Sequence, residues 1–222
     1  MTKRKRKSDE AYTELRRQII VAELPPNSLI DEKALVEELG VGRTPLREAV
    51  LRLEQQGLVV SLGRRGYVVA GASKADLMRG YELRRELECF TAGLAAERRT
   101  TEHLELFEAF LARIAAEITE HDQEVIWHLE VDEEFHRLVA KASDNQFAQS
   151  YLDTLYGLTV RSLYVSHVPI TFVKDEIDTY HTVLNAIRMR DAAAARAAMA
   201  QHLTFGPIQM KTAESDPQKQ AG

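Results

Sequence analysis

Gly40 and Pro45 stand five residues apart between two runs of helical apolar spacing, and few folds admit that arrangement. Leu35 and Leu39 form a turn-spaced pair that stops at Gly40, whose missing Cβ suits a left-handed helix end, and Val41 then plugs the turn. Pro45 has no N–H to give and fits only the first turn of the next helix, so Gly42 or Thr44 must cap that helix. Leu46, Ala49, Val50 and Leu53 recur at helical spacing and face a core. Arg43 and Arg47 fall one turn apart on another face, near the end from which a recognition helix meets base edges and phosphates. Residues 58–61 and 67–70 are β-prone runs around Gly63-Arg-Arg-Gly66, which makes a hairpin with a basic tip. The whole reads as a winged helix-turn-helix. The plainer reading, packed elements whose arginines are solvated surface charge, needs several agreeing signals to coincide.

A net charge of -5 is compatible with DNA binding only if charge is segregated, and it is. Residues 1–72 carry 13 Lys and Arg against 10 Asp and Glu, whereas residues 73–222 carry 16 against 24. The run from Lys3 to Lys7 suits an arm drawn to phosphates by counterion release, or equally a solubilising end. The acidic remainder would repel DNA and needs another task. The length allows two modest domains with their own cores. With no apolar run of roughly eighteen residues and none after the basic start, neither a membrane span nor a secretory signal is expected, and the cytoplasm is the expected compartment. A lone cysteine, Cys89, in an apolar helical pattern excludes a disulfide framework and favours a buried thiol.

The stretch Val41-Gly-Arg-Thr-Pro-Leu-Arg-Glu-Ala-Val50 resembles the signature of the GntR family of bacterial regulators, which runs close to Val-Ser-Arg-Thr-Pro-Val-Arg-Glu-Ala-Leu. The resemblance covers most of residues 10–70. It implies that Lys33, Arg43, Thr44 and Arg47 contact phosphates and bases, and that Arg64 and Gly66 place the wing tip in the minor groove. Gly42 departs from the family's hydroxyl residue; it can still cap a helix but brings no hydroxyl to a phosphate.

From Ser73 onward the periodicity is helical throughout. Helices are expected near 74–98, 102–120, 122–142, 146–166, 170–189 and 191–205, broken at Thr100-Thr101, His121, Ser143-Asp-Asn145, Pro169 and Asp191. The expected fold is therefore mainly α: a disordered basic arm (1–9), a winged helix-turn-helix domain (10–72), an all-α helical bundle for effector, metal and dimerisation (73–211), and a disordered polar tail (212–222). Asp132 and His136 are spaced i, i+4 and can grip one divalent ion, but two ligands are not a site. His181 and His202 would complete one if their helices line the same cavity, although any one histidine is more often a satisfied core or surface residue.

Taken together, this part resembles the FCD domain of the FadR subfamily of GntR regulators. The resemblance is carried by Leu83-Arg-Arg-Glu-Leu-Glu88, Ala95-Ala96, Asp132-Glu-Glu-Phe-His136, Ala142-Ser-Asp-Asn145, Tyr180-His181 and His202-Leu203, and it covers most of residues 75–205. It implies one divalent metal ion per chain, zinc first with nickel or manganese as alternatives, held by an Asp and three His and completed by a small organic acid. Asp132, His136 and His202 fall where that pattern asks. Anchoring on Ala186-Ile187 puts the third histidine position on Tyr180 instead of His181, a rotation of about 100°. Ile177 and Leu184 flank both, so phase leaves the two open; the better affinity of imidazole for divalent metals selects His181, whereas an inward Tyr180 would leave the metal three protein ligands or none and make Tyr180 an effector contact. A guanidinium can hold the acid's carboxylate in a bidentate way. Arg84 is the first choice, its neighbour Arg85 being turned away by helical geometry; Arg161 and Asn145 are further candidates.

The expected protein is a sequence-specific transcriptional regulator, a repressor acting as a homodimer on a pseudo-palindromic operator and controlled by a small carboxylate, with no membrane partner. Two rivals stand beside it. One is a metal-dependent enzyme with a DNA-binding appendage, since Glu133-x-x-His136 fits half of a dimetal site and Asp178-x-x-His181 echoes it; no matched pair of bridging glutamates accompanies them. The other is a metal-free regulator with an acyl ligand, against which the polar His and Asp set argues.

Overall fold

The structure is a computed structural model, and it describes residues 6–165 and 173–203. These divide into two compact units. One runs up to Leu77 and includes the stretch that begins at Gly157; the other runs from Met78 to Tyr156 and takes the described residues after 172.

The first unit begins with α1 (Lys7–Ile20), α2 (Glu32–Leu39) and α3 (Arg43–Gln55). Asp31 caps α2 by accepting from the Lys33 and Ala34 amides at 3.0 Å each, and Gly40 ends it at φ 60°. Gly42 is the N-cap of α3, and Thr44 and Pro45 lie in its first turn. Two short strands, β1 (Val59–Ser61) and β2 (Tyr67–Val69), pair antiparallel with Val60 opposite Val68, around a 3-10 turn at Gly63–Arg65. Gly66 closes the turn at φ 91°, a conformation that side chains rarely adopt. Ala11, Leu15 and Ile19 of α1 pack with Leu35, with Leu46, Ala49, Val50 and Leu53 of α3, and with Leu58, Val59 and Val69.

Two features of this unit differ from expectation. Helix α1 already includes residues 7–9, which were assigned to a disordered arm, because Ala11, Leu15 and Ile19 give that helix a buried stripe. A bridge between Leu29 and Val68 adds a short third pairing to the hairpin, one too brief to show in the alternation of side chains.

The second unit holds α4 (Lys74–Arg98) from Met78, α5 (Thr101–Glu117), α6 (Val125–Ala142), α7 (Gln146–Val165) up to Tyr156, α8 (Val173–Arg188) and α9 (Ala192–His202). The helix starts have local causes. Thr100 and His103 form a reciprocal capping box for α5, Asn145 Oδ1 accepts from the Ala148 amide at 3.1 Å, and Asp191 Oδ1 accepts from the Ala194 amide at 2.9 Å. The core combines Phe107, Phe110 and Ile114 of α5, Val131, Phe135 and Val139 of α6, Tyr180, Val183 and Ile187 of α8, and Ala195 and Met199 of α9. Cys89 packs half-buried against it, and burial raises its thiol. No described helix is long and apolar enough to cross a membrane. The basic residues Lys3 to Lys5, the break at Pro169 and the tail expected at 212–222 lie outside the described residues.

Candidate DNA interface and metal centre

In the first unit Lys33, Arg43, Thr44, Arg47 and Arg64 are all exposed, and Gly66 sits at the wing turn. Their electrostatic states differ. Arg17 is bound by Glu14 and Glu23, and Arg52 by Asp9 at 2.9 Å and by the face of Tyr12. Lys33, Arg43 and Arg64 meet no carboxylate among the described residues, whereas Arg47 donates Nε–H to Glu32 Oε2 at 3.1 Å. Cations left without an internal partner are the ones available to phosphates.

Arg161 belongs to this unit and not to an effector pocket, which corrects its expected role. It is buried, and its guanidinium donates to the Leu58 carbonyl at 3.3 Å and to the Gly71 carbonyl. A long cationic side chain thus satisfies the Gly71 carbonyl and adds a second donor to the Leu58 carbonyl, which also accepts from the Ala70 amide at 3.0 Å. Asn145 is likewise a helix cap, with its side-chain oxygen committed to the start of α7.

In the second unit an unusual number of polar groups lies in an apolar bundle: Arg84, Glu88, His136, Glu176 and His202 are each less than 10% exposed. Asp132 and His136 project from one face of α6, and His202 from the last turn of α9. Their donor atoms converge. His136 Nε2 lies 3.4 Å from Asp132 Oδ1 and 3.3 Å from His202 Nε2, and His202 Nε2 lies 3.7 Å from Asp132 Oδ1.

The surroundings fix both imidazoles. Thr179 donates its hydroxyl to the Glu176 carbonyl at 2.6 Å, so its oxygen accepts from His202 Nδ1–H at 2.9 Å. On the other ring, His136 Nδ1 faces Glu88 Oε2 and carries its proton there. Glu88 is held in turn by Arg84, whose Nε donates to it at 2.6 Å and whose guanidinium lies 4.7 Å from the centroid of the Tyr156 ring. Tyr156 donates to Asp132 Oδ2 at 2.8 Å, and Tyr180 donates toward Asp132 Oδ1 and Glu176 Oε2 at 3.3 Å each. Two Nε2 lone pairs and a carboxylate oxygen therefore face one point, and only a proton or a cation can reconcile them.

Titration follows that layout. Burial pulls His136 down, but Glu88 and Asp132 outweigh it and lift it to about 9. Burial and the His136 charge lower His202 to about 4. Burial raises Glu88, yet Arg84 and His136 hold it at about 2, while burial and the Asp132 charge push Glu176 up to about 8. Asp132 stays well below the usual carboxylate range: burial opposes ionisation, and His136, His202 and Arg84 overcome it.

His181 does not join this group, which corrects the third histidine. The buried stripe of α8 runs Val173, Glu176, Tyr180, Val183, Leu184 and Ile187, and His181, one residue past Tyr180, is exposed. Tyr180 is fully buried and stacks on Phe135 at 4.3 Å between ring centroids. Glu88, Glu176, Thr179 and Tyr156 were not assigned from sequence. Glu88 and Glu176 had a signal, as carboxylates four residues from Arg84 and Tyr180; Tyr156 and Thr179 had none.

The tight turn, the basic recognition helix with its wing, and the polar bundle core occur together. Residues 7–69 match the bacterial regulatory proteins of the gntR family, and residues 79–205 match the FCD domain. The chain belongs to the GntR family. This GntR regulator is 31% identical over 202 residues to the HTH-type transcriptional repressor RspR of Escherichia coli K12, spanning 88% of this chain and 85% of that protein. It is 26% identical over 195 residues to the regulator McbR of the same strain, 86% of this chain and 87% of that protein. The solved structure of E. coli McbR/YncC covers 96% of this chain and 100% of its own at a TM-score of 0.77 and 22% identity, which supports the fold. This GntR-family chain with an FCD domain is a DNA-binding regulator and not an enzyme. The dimetal reading also lacks geometry: Glu133 pairs with Arg137 at 2.8 Å, and Asp178 and His181 are exposed.

Proposed function

We propose that this regulator is a repressor that binds a pseudo-palindromic operator as a homodimer and is controlled by a small carboxylate at a divalent metal held by Asp132, His136 and His202. The observation that carries the reading is the convergence of those three donors with both Nδ1 positions already committed. Donor separations of 3.3, 3.4 and 3.7 Å suit bonds of about 2.0–2.2 Å in a roughly tetrahedral arrangement. The donor set fits zinc first, with nickel or manganese as alternatives. When bound, such an ion supplies a Lewis-acidic anchor for a carboxylate. Tyr180 offers a hydroxyl beside it, and Glu88 and Thr179 hold the imidazoles in the ligating tautomer. Arg84 acts through Glu88 in this arrangement, so its expected role as a direct carboxylate clamp becomes a supporting one.

Lys33, Arg43, Thr44 and Arg47 form the DNA-reading face in this reading, with Arg64 and Gly66 at the wing, and two copies supply the affinity that a few base pairs per helix cannot. The relative RspR is named a transcriptional repressor, and this chain joins a gntR-family reading domain to an FCD domain, which supports the repressor reading. Elemental analysis of the purified protein, with a thermal-shift screen of small carboxylic acids with and without chelator, tests the effector half. About one divalent ion per chain and a chelator-sensitive shift support it; no metal and no chelator effect refute it.

Two smaller results follow. His181→Ala is expected to leave metal content unchanged, because the side chain is exposed; loss of metal in that variant would restore His181 to the ligand set. The pairing of Glu88 sets an acid limit. Its carboxyl is depressed from 4.5 to about 2, so its contribution to stability is present above the unfolded value and is lost as pH falls from about 4.5 toward 2. Glu88→Gln should therefore lower stability at pH 7 and flatten the pH dependence in that window. Circular dichroism melts between pH 2 and 7 would read both, and an unchanged slope would reject the assignment.

A further inference from the structure

We infer that Glu32 is a specificity-determining residue of the DNA-reading face: it grips Arg47 by one edge and presents the two terminal nitrogens of the guanidinium to a guanine. The inference rests on the reading of α3 as the recognition helix.

The geometry is specific. Glu32 is the first residue of α2, directly after the Asp31 cap, whose Oδ1 accepts from the Lys33 and Ala34 amides and so holds the first turn that carries Glu32. Its Oε2 accepts from Arg47 Nε at 3.1 Å, with side-chain exposures of 30% for Glu32 and 67% for Arg47. Lys33 is adjacent in sequence and Arg43 lies one turn before Arg47, yet neither meets a carboxylate among the described residues; of the cations on this face only Arg47 is braced.

A guanidinium has five N–H groups in a rigid fork. With Nε–H occupied, the end-on pair from the two Nη atoms remains, and it matches guanine N7 and O6 together. Adenine offers N7 beside an N6 donor, which a cation cannot accept. An unbraced Arg47 would have several staggered conformers and could turn to a phosphate instead. The brace has an opposite effect on general attraction, since a carboxylate at a phosphate-facing surface repels the backbone. As an exposed pair it adds little to folding. Glu32 thus sharpens discrimination while weakening non-sequence-specific binding, two effects of opposite sign that a purely structural residue would not produce.

The test uses the full chain. Duplexes are selected from a randomised library with the wild type, and affinities of wild type, Arg47→Ala, Glu32→Gln and the double variant are then measured by fluorescence anisotropy. The probes are the selected duplex, its single-base variants and a scrambled duplex. Arg47→Ala should erase the preference for one guanine per half-site. Glu32→Gln should lose about 10-fold of the discrimination at that same guanine while binding the scrambled duplex equally well or more tightly, and the double variant should discriminate no worse than Arg47→Ala. Full discrimination in Glu32→Gln, with loss in Arg47→Ala, overturns the inference and leaves the recognition helix standing. A uniform loss on every duplex in Glu32→Gln overturns it as a structural effect. A guanine preference unchanged in Arg47→Ala removes the reading of α3 and the inference with it.

Discussion

Arg47→Ala is expected to bind the selected operator at least 30-fold more weakly than the wild type while retaining its fold and metal content. The magnitude follows from the contact. A bidentate arginine discriminates by about 1–3 kcal/mol per base, and the proposed dimer would engage two half-sites, so the total lies at roughly 2–6 kcal/mol if both are lost. The fold is safe because Arg47 is exposed and its one ion pair, with Glu32, is of the surface kind that contributes about 0–1 kcal/mol. Binding to a scrambled duplex should fall much less, with the dependence on salt shallower by no more than about one phosphate equivalent per subunit. Anisotropy titrations at several salt concentrations separate these effects. Unchanged operator affinity would remove Arg47 from the interface, and equal losses on all sequences would make it a phosphate contact.

His136→Ala should reduce apparent metal affinity by more than about 100-fold. Losing a residue that merely orients a ligand costs roughly 10–100-fold, and this change deletes a ligand outright. It also leaves Asp132 and His202 with no third donor from α6, α8 or α9 among the described histidines and carboxylates that cluster there. Glu88 would still be held by Arg84 at 2.6 Å, so the variant does not strand a buried carboxylate without a partner. Metal content by elemental analysis and a chelator titration of the thermal midpoint provide the readout. Full occupancy in the folded variant would dismiss the proposed ligand set.

The parts of the fold that could be read from sequence were those with a local physical cause. Gly40 tolerates the left-handed conformation that ends a helix and Pro45 fits only a first helical turn, so the turn and the stripe of α3 fell where expected, and the cap is Gly42, one of the two residues that the sequence left open. The breaks at Ser143-Asp-Asn145 and Asp191 placed the starts of α7 and α9, although Asn145 was expected as an effector contact and is in fact the cap of α7. Asp132 and His136 were legible because one helix face presents both. Tyr180 and His181 were not separable, since the choice depends on how α8 is rotated against Phe135, a packing fact that no single helix carries. Arg161 misled for a related reason: its cationic chemistry suited an acid, but its position gave it two carbonyls. Glu88 stood in a quoted segment without a role, because its partner His136 is 48 residues away and on another helix.

The involvement of α7 in the first unit bears on how such regulators can be recombined. Arg161 meets the carbonyls of Leu58 and Gly71, and Leu158 packs against the winged core, so that unit is completed by a stretch encoded far downstream of its own helices. A chimera made by joining residues up to the wing to a foreign effector domain would keep the Ala70 amide on the Leu58 carbonyl but would inherit a Gly71 carbonyl without its Arg161 donor and an uncovered apolar edge. An exchangeable reading head in this protein is therefore discontinuous, and a working transplant would have to carry the α7 segment along with it.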